Sequence, residues 1–136
     1  MKNTNLFQKL FSSVINAIVV FVISLPFISF SENILFKRLI VVGIFFVYCL
    51  VFMFLNKNRD LGMIIMKSYW RENYPTKNQF LYNVLYTLSF ATLFFHIFFP
   101  LDLFLINMLF LQLPFVLITG TTLHGYFSGK MITVVK

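Results

Sequence analysis

Few side chains in this 136-residue chain can do chemistry: two His, one Cys and four acidic residues. His96 and His124 are far apart, and Cys49 lies in a separate apolar run, so no ligand spacing fits a zinc site. No Gly-rich phosphate loop follows a strand, and no Ser stands in the strand–turn–helix elbow of a hydrolase. Glu32, Asp60, Glu72 and Asp102 all fall in polar connections, whereas a proton-driven carrier needs a carboxylate inside the apolar part. The pattern predicts no enzyme, no cofactor and no metal. A single Cys forms no internal disulfide, and Cys49 reads as a small residue packed in the core or facing lipid.

The elements that position these residues are four apolar runs, roughly 10–30, 39–55, 80–99 and 103–119. Each is close to the ~20 residues that cross about 30 Å of hydrocarbon as a helix. Hydrophobic residues make up 60% and charged ones 11%, and the mean hydropathy is +0.87. A soluble domain with 20 Phe would expose large apolar patches. The first run follows Lys2 and Lys9 as a signal peptide would. It is too long for one, however, and no small-x-small site precedes Glu32, so it reads as a retained span. The second run, about 17 residues, is near the lower limit for a span and has no strongly polar residue in its interior, which predicts the most lipid-exposed helix.

Charge sets orientation. Lys2 and Lys9, then Lys57, Arg59, Lys67, Arg71 and Lys77, then Lys130 and Lys136 lie in regions that four spans would place on one side. Only Lys37 and Arg38 fall opposite. The positive-inside rule puts both termini in the cytoplasm of a cell (inner) membrane. The net charge of +7 sits beside membrane spans, so anionic lipid headgroups are the expected partner rather than nucleic acid.

The fold expected is an all-α membrane protein, a four-transmembrane-helix bundle forming one domain over 1–136. Its loops are short except for one cytoplasmic connection, 56–79. Within it, 61–70 reads either as an interfacial amphipathic helix or as a short strand before the turn at 71–75. The C-terminal 130–136 is β-prone and could pair with it. Ser12, Asn16 and Ser24 share one face of the first run. Ser89, Thr92 and His96 share another in the third, with Asn83 and Thr87 nearer the cytoplasm. Asn107, Gln112 and Pro114 mark the fourth. Polar side chains in a bilayer favour the bundle interior. Asn16, Asn83, Gln112, His96 and His124 read either as inter-helix contacts or as a polar pathway. His96 and Asp102 flank Pro100 near the outer face and read either as a pH-responsive pair or as ordinary residues of a hairpin tip.

Leu123-His124-Gly125-Tyr126-Phe127-Ser128-Gly129-Lys130-Met131-Ile132 resembles the closing motif of the RDD family of small membrane proteins, Leu-His-Asp-Arg-Leu-Ala-Gly-Thr-Val-Val. Lys9 through Asn16 is similar to a family segment that opens with Arg and closes with Asp at the same separation. Leu61-Gly62 resembles the family's entry to its cytoplasmic connection. The resemblance matches Lys9, Asn16, Gly62, Leu123, His124, Gly125 and Gly129 to motif positions. It implies a multi-pass membrane domain, with transport suggested for the family and cation/proton exchange for some members. The family's two acidic positions are Asn16 and Gly125 here, its first Arg is Lys9, and the Arg beside the second acid is Tyr126. Asn16 can hydrogen-bond but cannot shuttle a proton. Two functions stay open: an accessory or assembly component that packs with itself or with a membrane protein partner, and a transporter or channel for a small solute or cation.

Overall fold

The computed structural model describes residues 1–136. The chain runs β1 (Lys2–Asn3), α1 (Leu6–Ile28), α2 (Ile34–Leu55), α3 (Leu61–Ile65), β2 (Ser68–Trp70) and α4 (Thr76–Ala91). It continues with α5 (Asp102–Ile106), a π-helical segment (Asn107–Gln112), α6 (Leu113–Thr119), α7 (Leu123–Phe127) and β3 (Thr133–Val135). Three helices are long and apolar enough to cross a membrane: Leu6–Ile28, Ile34–Leu55 and Asp102–Thr119.

Local chemistry sets the ends of these helices. Asn5 and Gln8 form a reciprocal capping box at the start of α1. Asn33 accepts the N–H groups of Leu35 and Phe36, so α2 begins well before the expected residue 39 and takes in Lys37 and Arg38. α1 buries Ser12, Asn16, Val20 and Ser24, the small and polar stripe at four-residue spacing.

α2 overturns one expectation. Rather than being the most lipid-exposed helix, it is the most buried of the three long ones and packs between α1 and α4. Phe45, 1% exposed, stacks on Phe90 of α4 at 4.1 Å and meets Tyr86 edge-on at 5.0 Å. Val20, Val41, Tyr48 and Cys49 complete this core. An apolar helix in a bundle is as free to face helices as lipid, so the lack of polar residues did not decide its position.

The third apolar run is not a helix along its length, and the count of four long spanning helices is not met. α4 stops at Ala91, and residues 92–101 form turns although the apolar run continues through Phe99. The cause lies just beyond, where the Asp102 carboxylate accepts the N–H groups of Ile97, Phe98 and Phe99, at 2.7 Å for Phe98, and that of Leu103. Pro100 pushes Phe99 away from helical geometry as well. Asp102 therefore serves the backbone and makes no bond to His96, which is exposed.

The other ends of the chain meet in a three-stranded antiparallel sheet ordered β1-β3-β2. Lys2 pairs with Val135, and Ser68, Tyr69 and Trp70 pair with Val135, Val134 and Thr133. The connection between α2 and α4 thus holds both of its alternative readings, a short helix and then a strand. The pairing of 61–70 with the C-terminus is present, and β1 joins it.

Candidate functional site

Asn16 sits at the centre of the molecule, 0% exposed, where α1, α2, α3 and α4 converge. Its Oδ1 accepts from the Tyr48 hydroxyl at 2.7 Å and from the Gly62 N–H at 2.9 Å. Its Nδ2 donates to the Tyr86 hydroxyl at 3.1 Å, and that hydroxyl donates to Ser13 Oγ at 3.1 Å. Leu61 N–H in turn donates to the Tyr48 hydroxyl. An amide can both donate and accept, so one side chain ties together four elements that a carboxylate could join only as an acceptor.

Gly62 makes that convergence possible. A Cβ there would lie 2.1 Å from the Ser12 carbonyl oxygen and 2.6 Å from Ser12 Oγ, so α3 touches the backbone of α1. Gly125 is under a similar constraint. A Cβ there would lie 2.3 Å from Thr121 Oγ1 and 2.8 Å from the Met131 carbonyl, where Met131 N–H bonds back to the Gly125 carbonyl. Gly62 and Gly125 are both packing requirements in this fold.

Beside the Asn16 cluster lies a small polar chamber of about 40 Å³, room for water rather than for a large solute. Lys9, Asp60, His124, Ser12, Tyr82 and Tyr86 line it. Lys9 Nζ donates to the Thr4 carbonyl at 3.2 Å, to Thr133 Oγ1 at 3.0 Å and to Thr4 Oγ1, which ties the start of α1 to the sheet. His124 is 5% exposed, stacks on Tyr86 at 4.9 Å with 12° between planes, and meets Tyr82 edge-on at 4.8 Å. Its Nδ1 has no hydrogen-bond partner. Burial, with the Lys9 charge added, pushes its pKa down to about 3, so the ring is neutral at pH 7.

Asp60 is the functional candidate that sequence reasoning missed. It lies in the connection, as expected, yet it is 8% exposed and caps α3 through the Met63 N–H at 2.8 Å. Burial raises its pKa to about 6, against the pull of the Met63 N–H, the Asn16 side chain, the Gly62 N–H and Arg59. The signal was present in Asp60-Leu61-Gly62, a helix N-cap next to a residue that allows close approach.

The expected pathway residues do not line one path. Asn83 Nδ2 reaches the Cys49 carbonyl at 3.4 Å. Gln112 Nε2 donates to Asn107 Oδ1 at 3.2 Å, its Oε1 accepts the Leu123 N–H at 3.2 Å, and Asn107 Nδ2 donates to Ser89 Oγ at 2.8 Å. The π-helical segment allows this, because a five-residue repeat brings Asn107 and Gln112 onto one face. His124 reaches Asn16 only through Tyr86. No family model, curated protein or solved structure matches this chain.

Proposed function

We propose that this is a small multi-pass membrane protein of the RDD-like type. In this reading both termini are cytoplasmic, and the protein is a non-catalytic accessory or assembly component that packs with itself or with a membrane partner. The pairing of Lys2–Asn3 with β3 supports placing the two ends on one side, which requires α4 and the following turns to bring the chain back across. Lys2, Lys67, Arg71, Lys77 and Lys136 are exposed around the sheet and suit anionic headgroups.

One observation carries the assembly reading. At 1.5 Å per residue the 16 residues of α4 rise about 24 Å, against about 34 Å for the 23 of α1. Beyond α4, the carbonyls of Leu93 through Phe98 accept no hydrogen bond, while Ile97 and Phe98 are 64% and 88% exposed. Irregular backbone at membrane depth is tolerated where protein covers it or water reaches it. A second protein surface over this apolar turn supplies that cover.

The alternative, a transporter, draws on the polar chamber, but beyond Asn16 the stacked Phe45 and Phe90 close the space between α2 and α4. Proteoliposome flux of Na⁺, K⁺ and H⁺ separates the two readings. Wild type is expected to match empty liposomes; flux of any of these ions above that level would establish the transporter instead.

A further inference from the structure

The helix formed by α5, the π-helical segment and α6 stands off from α1 and α4 and leaves an apolar slot of about 280 Å³. Val14, Ala17, Phe90, Phe104, Met108 and Val116 are among the residues that line it. Its volume is near the lower end of small-molecule sites, which start at about 300 Å³. Its polar end is built from different chemistry. Lys9, Ser13, Tyr86, Thr122 and His124 line both the slot and the polar chamber, whereas Asp60 lines the chamber alone.

Two features of that junction point to a ligand. Lys9 is a cation with no carboxylate in salt-bridge range, held only by threonine oxygens and a carbonyl. His124 Nδ1 is buried without a partner at the same place. A buried, unpaired polar nitrogen beside an uncompensated cation is costly unless something completes it. The slot has room for one chain rather than the two of a phospholipid, and the chamber beside Lys9 is too small for a glycerophosphate head.

We infer that the slot binds a single-chain fatty acid, with its hydrocarbon between α1, α4 and the C-terminal helix and its carboxylate against Lys9 and His124. Lys9 supplies the charge, His124 Nδ1 donates the further hydrogen bond, and the apolar walls set the chain. The inference goes beyond the assembly role and stands on the slot rather than on the turn at 92–101.

The test is native mass spectrometry of the purified protein with palmitate, hexadecanol or palmitoyl lysophosphatidylglycerol. Protection of Cys49 from a maleimide reports that each variant is folded. Palmitate is expected to bind one to one, and about tenfold tighter than hexadecanol, because a charged partner strengthens a buried hydrogen bond. Lys9→Gln should erase that preference, bringing palmitate down to the affinity of hexadecanol for the same folded variant. Ala17→Phe and Met108→Trp, which fill the slot from opposite walls, should each abolish binding of both. Equal binding of palmitate and hexadecanol, tighter binding of the lysolipid, or retention of palmitate by a folded Met108→Trp variant would each overturn the proposal.

Discussion

Replacing Asp60 by Asn should stabilise the protein, although it alters a helix cap. The folded-state pKa of about 6 lies above the ordinary value of 3.8, so the native state pays to ionise this carboxyl. That term favours folding below about pH 4, fades as pH rises through about 6, and stays unfavourable above it. The two-unit gap corresponds to about 3 kcal/mol at pH 8. Asn keeps the oxygen that accepts the Met63 N–H, losing only the charge-assisted part of the cap. A net gain of about 2 kcal/mol is expected at pH 8, and about none at pH 4. Cys49 is the only thiol and 4% exposed, so thermal unfolding in micelles can be followed by its reaction with a fluorogenic maleimide. The expected shift in Tm is upward by about 5–10 °C at pH 8. A Tm difference independent of pH, or destabilisation at pH 8, would refute the reasoning. His124 acts in the opposite sense, because its lowered pKa removes stability as pH falls below about 6.5, so only the variant-minus-wild-type difference isolates Asp60.

Asn16→Ala should cost about 3–5 kcal/mol in the same assay, because the Gly62 N–H and two tyrosine hydroxyls lose their partner inside the bundle. Gly62→Ala should cost about 1–3 kcal/mol or more, since its Cβ would press on the Ser12 backbone; a neutral result would mean α3 is free to shift away from α1. Asp102→Ala should speed hydrogen exchange at the amides of Ile97, Phe98 and Phe99 while leaving those of α2 unchanged; uniform exchange across the chain would contradict its role as a local clasp.

Hydropathy located α1, α2 and the helix at Asp102–Thr119 well, because a long apolar run has few alternatives in a bilayer. It overran α4, because Phe94 to Phe99 are as apolar as a helix requires while Asp102 and Pro100, outside the run, decide their backbone. The stripe of Ser12, Asn16 and Ser24 was legible from four-residue spacing, and so was the β-prone C-terminus. The site was harder to read. His124 and Asn16 stood out by type, but their partners Tyr86, Tyr48 and Gly62 come from other elements, and spacing along one helix carries no information about them. Asp60 looked like a loop carboxylate because its burial is created by α3 folding back on α1. His96 would share the helical stripe of Ser89 and Thr92 only in a continuous helix, and the helix ends at Ala91.

The assembly account rests on the turn at 92–101 being covered by protein, and cross-linking in the native membrane tests this directly. With Cys49 replaced by Ser, a single Phe98→Cys substitution places a thiol on the most exposed large apolar residue of that turn. The account predicts that a short bifunctional thiol/amine reagent joins residue 98 to a second copy or to one discrete membrane protein, and that a thiol at Lys67, by the sheet, gives no such product. A monomer that stays uncross-linked at residue 98, with its thiol freely labelled by a lipid-soluble maleimide, would contradict it.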